Sequence, residues 1–197
     1  MFYHALGYEE KHEYYDTYFS VQTFWGKFIE KFYGKQYRND FVWQLKEFDN
    51  IILQQIENSE MKTELEKLMQ AFDNLTHDYH TIGNIAPCAP RINEPKGSIN
   101  NHAYDRIDLF LEKLKDGSLK NISESNKQDW LKWYDESKKG NNVEMYELGA
   151  FVKETELSPE PLPPDKKTTW DQQDIGHLAN YLNDVSKLIK GRGEKII

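Results

Sequence analysis

The strongest constraint on how this chain folds is a set of apolar stripes that repeat with the period of an α-helix. Val21, Phe24, Trp25, Phe28, Ile29 and Phe32 recur at i, i+3, i+4 and i+7, with Gly34 placed as a terminator. A second stretch opens at Asn39 or Asp40, either a good N-cap, and puts Phe41, Leu45, Phe48, Ile52 and Ile56 on one stripe. Ser59 begins a third, carrying Met61, Leu65, Leu68, Met69, Phe72 and Leu75. The short connection between the second and third predicts antiparallel neighbours.

Helical signals resume later in the chain. From Asn101 or His102, the residues Ile107, Phe110, Leu111 and Leu114 form a stripe that Gly117 closes. Ser125 with Gln128 reads as a capping box ahead of Trp130, Leu131, Trp133 and Tyr134, an aromatic group expected in the core rather than in a self-association patch. Residues 143–152 read as a further helix through Met145, Leu148 and Val152, chosen over a short strand in which Val143 and Met145 alternate with Glu144. Thr169 with Gln172 is another capping box. It precedes Ile175, Leu178, Leu182, Val185 and Ile189, with Gly191 as the expected stop. Lys187 and Lys190 sit where they complement the negative end of this helix. A nucleic-acid tail made of Lys187, Lys190, Arg192 and Lys195 is the weaker reading of the same cations.

The expected fold is therefore mainly α: a single compact helical domain of six or seven helices with a long ordered central loop. Residues 1–157 form the helical domain, including the central loop 81–101. Residues 158–168 form a proline-rich linker with Pro159, Pro161, Pro163 and Pro164, and 169–197 form a C-terminal helix docking on the same domain. A length of 197 residues with 5 Trp, 12 Tyr and 10 Phe is enough to build one real core.

Charge and cysteine usage bound the function. The formal net charge of −8 argues against a broad grip on nucleic acid. Residues 41–80 hold three Lys and eight Asp or Glu; a solvated helix face explains this better than a DNA-mimicking surface. The single cysteine, Cys88, excludes an internal disulfide framework and points to a reducing cytoplasm. No apolar run approaches the roughly 18 residues of a membrane span, and Met1–Glu10 is too polar for a signal peptide, so no membrane partner is expected.

Between Thr81 and Asn101 the helical pattern breaks. Gly83, Pro87, Pro90, Pro95 and Gly97 leave neither a helix nor a strand period. Ile82, Ile85, Ile92 and Ile99 recur through the segment, which predicts an ordered loop pinned to the core rather than a disordered one.

Around this loop lie most of the residue types that carry chemistry, and four readings compete. His77 and His80, three apart, together with His102 and Asp105, three apart, form a possible divalent-metal shell, although the spacing matches no strong metal signature. Cys88 near Arg91 permits a thiolate nucleophile. Arg91, Lys96 and Arg106, flanking a turn that feeds a helix start near Asn101, suit a phosphate or a nucleic-acid backbone. The favoured reading is a structural network in which His80, Asn84, Arg91, Asn93, Lys96, Asn101, Asp105, Arg106 and Asp108 bond the loop to its helices, because buried amides need partners.

The run Tyr79-His80-Thr81-Ile82-Gly83-Asn84, then Arg91-Ile92-Asn93, Lys96-Gly97 and Asp105-Arg106-Ile107-Asp108-Leu109, resembles an uncharacterised bacterial domain family. That family has a Thr-Ile-Gly block, an Asn-rich turn and an Asp-Arg-aromatic-Asp-Leu helix; the resemblance covers about 30 residues and implies no activity. Gly83-Asn84-Ile85 and Asn93, with Asn100 or Asn101, are also similar to the HNH-like C-terminal domain of modification-dependent restriction endonucleases. Those enzymes use an upstream Glu-His-Ile-x-Pro element to activate water beside a metal. Nothing between Met1 and Thr76 matches it, since His4 and His12 lack that context, so the resemblance implies an inactive or rebuilt copy.

The expected function is a cytoplasmic binding or interaction protein without a complete catalytic site, in phage or mobile-element biology. Its expected partner is a protein, with phosphate or a nucleic-acid backbone as the alternative ligand. The competing expectation is a metal-assisted HNH-like nuclease or other hydrolase using the His77–Asp108 segment, and the choice between enzyme and non-enzyme stays open at this point. No cofactor is expected; if a divalent metal binds, His77, His80, His102 and Asp105 are its candidate ligands. Denaturant unfolding of Arg106→Ala tests the network. A loss of roughly 1–3 kcal/mol is expected for buried charge-assisted bonds, and a change within about 0.5 kcal/mol marks the side chain as exposed and open to a ligand.

Overall fold

The computed structural model describes residues 14–17, 21–34, 45–88, 116, 123–138 and 169–197. These residues are mainly α-helical. In chain order they form strand β1 (Tyr14–Thr17), helix α1 (Val21–Phe28), helix α2 (Ser59–Asp78), strand β2 (Ile85–Cys88), helix α3 (Glu124–Lys138) and helix α4 (Gln172–Ile196). Between α1 and α2, a π-helical turn at Phe48–Ile52 runs into a 3-10 turn at Leu53–Gln55. The helices expected after Asn101 and over 143–152 lie outside the described residues, as do the cap at Asn39 or Asp40 and the linker 158–168. The same is true of the side chains of Trp130, Trp133 and Tyr134.

The first stripe is buried as its spacing predicts: Val21, Phe24, Trp25, Phe28 and Ile29 all face the core. The helix does not stay α-helical to its end. It widens into a π turn over Ile29–Tyr33, then stops at Gly34, whose φ of 70° is the left-handed conformation a glycine adopts without a Cβ penalty.

The second stretch departs further from expectation. Instead of one α-helix, its middle is a π turn in which the Leu53 N–H donates to the Phe48 carbonyl, five residues back. That wider spacing brings Leu53 onto the buried side with Phe48, whereas the 3.6-residue stripe had chosen Ile52 and Ile56, which are only partly buried. The segment then leads into α2, and Leu45, Lys46 and Asp49 line one groove with Met69, Gln70 and Asp73 of that helix.

Helix α2 begins where the sequence places it. The Asn58 side chain is the N-cap, accepting from the Met61 N–H at 2.9 Å. Leu65, Leu68, Met69, Ala71, Phe72 and Leu75 fill its buried face.

Two other caps fall two residues away from their expected positions. At α3, Ser123 rather than Ser125 accepts from the backbone N–H of Asn126, at 3.2 Å, and Gln128 turns instead to Glu124. At α4 the capping box is Asp171 with Asp174, not Thr169 with Gln172. The Asp174 N–H donates to Asp171 at 3.0 Å, and the Asp171 N–H donates back to Asp174 at 2.8 Å. Two carboxylates at a helix N-terminus also suit its dipole, which a Thr–Gln pair does not exploit. Trp170 and Ile175, both buried, occupy the flanking staple positions of this start.

The core joins α1, the Phe48 turn, α2 and α4. The Trp25 ring packs on Phe72 at 5.1 Å and on Phe48 at 5.8 Å, edge to face in both cases. Phe24 meets Tyr181 of α4 at 5.5 Å, and Phe28 meets Trp170 at 6.0 Å. Ile175, Leu178, Leu182, Val185 and Ile189 are all buried, as their spacing predicts.

Helices α2 and α4 run parallel. A Cβ at Gly176 would sit 3.1 Å from the Glu64 carboxylate near the start of both helices, and Lys190 reaches Asp78 at 3.5 Å near the end of both. Parallel neighbours need a long return connection, and everything from Tyr79 to Asp171 supplies it.

The central segment is not wholly irregular. Ile85–Cys88 pairs antiparallel with Tyr14–Thr17, in the register Tyr14 to Cys88 and Thr17 to Ile85. This corrects the expectation that no strand survives there. Four residues including Pro87 are too short to show alternation, and their partner lies far off in the sequence.

Where the central segment meets α4, the fit is tight. A Cβ on Gly83 would fall on the Ile189 carbonyl oxygen, with the Ile189 carbonyl carbon 2.7 Å away. Gly193 faces Gly83 from the next turn of α4. Gly83→Ala is expected to destabilise the fold by at least about 2 kcal/mol in denaturant unfolding, because a helix backbone cannot yield as a side chain can. Gly34→Ala, which has open space but a positive φ, is expected to cost only about 1 kcal/mol.

Candidate functional site

The end of α2 has unpaired carbonyls that require donors, and the residues just beyond it provide them. Thr81 donates to the Asp78 carbonyl twice, from its hydroxyl at 2.7 Å and from its backbone N–H at 3.1 Å. The Asn84 side-chain amide donates to the Tyr79 carbonyl at 2.9 Å, and the Asn84 N–H donates to Thr81 at 3.0 Å. Asn84 is fully buried. This makes the Thr81–Asn84 turn a side-chain-built cap on the end of α2.

Arg192 completes the turn from the other side. It is 2% exposed, and its Nη1 lies 2.9 Å from the Ile82 carbonyl, 2.7 Å from that of Gly83 and 3.2 Å from that of Ile85. One guanidinium nitrogen carries two hydrogens, so three acceptors are served by shared, charge-assisted bonds. The turn is thus held from above by α4 and from below by α2. The sequence pattern alone predicts a helix stop at Gly191, with Arg192 beyond it among the cations of a nucleic-acid tail as the weaker reading. In the structure α4 continues to Ile196, and the Arg192 charge is spent inside the protein. Lys187 pairs with Asp184 at 2.8 Å, and Lys190 lies 3.5 Å from the buried Asp78 carboxylate. The signal for Arg192 was present as Gly191-Arg192-Gly193, an arginine flanked by the residues that permit close backbone approach.

His77 and His80 do not converge with other described residues. His77 is exposed and lies 3.8 Å from Asp73 on the same helix. His80, also exposed, has its ring against that of its neighbour Tyr79, at 4.4 Å. Among the described residues, no group of three or more His, Cys, Asp or Glu side chains is arranged to hold a metal. Arg91, Asn93, Lys96, Asn101, His102, Asp105, Arg106 and Asp108 lie outside the described residues, and Cys88 is described only as part of β2.

A separate feature lies along α2. Between this helix and the segment that precedes it runs an open groove of about 410 Å³. Leu45 and Met69 form its apolar floor. Asp49, Glu66 and Asp73, all exposed, stand along it with Lys46, Gln70 and Thr76. The acidic bias of residues 41–80 marked this region in the sequence, but the groove itself depends on how the π turn lies against α2, which spacing does not reveal.

In comparison with known proteins, the chain matches no family model, no curated protein and no solved structure.

Two variants separate the charge of Arg192 from its packing. Arg192→Ala is expected to lower unfolding free energy by about 3 kcal/mol, since the bond to the buried Gly83 carbonyl and those to the part-buried Ile82 and Ile85 carbonyls lose their charged donor. Arg192→Lys should cost roughly half as much, because it keeps the charge but loses the planar fork.

Proposed function

We propose that this protein is a non-enzymatic interaction protein of the cytoplasm whose partner is another protein. The observation that supports this most is the open groove over Leu45 and Met69. It is concave, has an apolar floor and carries exposed polar groups, the make-up of a recognition surface. The described residues of the Thr81–Asn84 turn meanwhile spend their polar groups on the fold: Asn84 on Tyr79 and Thr81 on Asp78. A single cysteine in 197 residues is in keeping with a reducing compartment. The competing HNH-like hydrolase reading requires a bound divalent metal, and His77 and His80 do not contribute to a shared cluster with other described residues.

Elemental analysis of protein purified without a histidine tag separates the two readings. The interaction reading predicts a divalent metal content well below stoichiometric. About one tightly held equivalent, lost with a fall in melting temperature on chelation, would overturn it in favour of metal-assisted chemistry.

A further inference from the structure

We infer that the groove between Leu45–Asp49 and α2 binds an arginine-bearing segment of a partner protein, a specific form of the interaction function on which this inference rests. An arginine side chain is amphipathic: a three-carbon stem that favours apolar contact and a planar cation that favours carboxylates. The groove presents both halves of the complement. Leu45 and the buried Met69 form a floor for the stem. Asp49 stands on one wall, and Glu66 and Asp73 stand on the other, all exposed to meet the cation.

The spacing along α2 adds to this. Glu66 and Asp73 are seven residues apart, two turns and about 10 Å along the same face. Two cations on a partner segment can therefore be held at once, with an apolar residue between them over Met69. Among the described residues that line this groove, Lys46 stands against three carboxylates, so their net charge is negative. That sign disfavours phosphate and nucleic-acid backbone as its ligand and favours a basic peptide. The volume of about 410 Å³ accommodates a few side chains, not a folded domain, so the occupant is a segment.

The test uses the full chain, labelled with nitrogen-15 and titrated with the peptide acetyl-Leu-Arg-Leu-Leu-Arg-amide, with the same peptide carrying Glu in place of both Arg as control. Saturable amide shifts are expected at Asp49, Met69, Gln70 and Asp73 with the arginine peptide and not with the control. The double variant Asp49→Asn/Asp73→Asn replaces exposed groups and should keep the wild-type melting temperature. It is expected to bind about fivefold more weakly, and added salt should weaken wild-type binding in the same direction. Unsaturable shifts, shifts confined to other surfaces, equal binding of the Glu peptide, or unchanged affinity in the double variant would each overturn the inference. Such a failure with substoichiometric metal leaves the interaction function standing and removes only this partner class. A stoichiometric metal removes the interaction function itself.

Discussion

Everything in this structure hangs on the contact between the Thr81–Asn84 turn and the last two turns of α4. Two parallel helices, α2 and α4, end on the same side of the core, and the chain leaving α2 turns directly against the flank of α4. It can do so only because Gly83 has no side chain to strike the Ile189 carbonyl and because Gly193 gives way opposite it. The carbonyls exposed by that passage would be costly if left bare, and Arg192 satisfies three of them. Close approach, a buried cation and a side-chain cap solve one problem together: ending one helix against the flank of another.

This junction also explains features that are puzzling one at a time. Gly191 and Gly193 each lower the helix propensity of α4, by about 1 kcal/mol in an ordinary helix interior, yet the helix runs through both. Burial of Arg192 and Ile196 holds the final turns in place. The strand pairing that begins at Ile85, directly after the turn, starts from a backbone whose position is already set by Arg192.

What could be read from the sequence follows from the range of the interactions concerned. Stripes such as Leu65–Leu68–Phe72–Leu75 and Ile175–Leu178–Leu182–Val185 are local patterns, and their burial was predictable residue by residue. The caps were recognisable in kind but not in place, because Ser123 competes with Ser125, and Asp171 with Thr169, at energies that differ little. The π turn that brings in Leu53, the pairing of Ile85–Cys88 with Tyr14–Thr17, and the inward turn of Arg192 each depend on partners distant in the chain or on small changes of helical pitch. No spacing rule reaches them. For the candidate site the same division holds: Asn84 was singled out as a network residue on local grounds, and the acidic bias around α2 was visible. Arg192 as an internal donor and the groove over Met69 required the fold.

Amide hydrogen exchange on the intact protein bears most directly on the junction. If the turn is fixed between α2 and α4, the Asn84 and Ile85 amides, bonded to Thr81 and Ile82, will exchange in the same slow class as the amides of Leu68–Leu75 and Leu182–Ile189. Exchange of Asn84 and Ile85 at the rate of an open loop, while both helices stay protected, would show that the helices pack without the turn and would contradict the account.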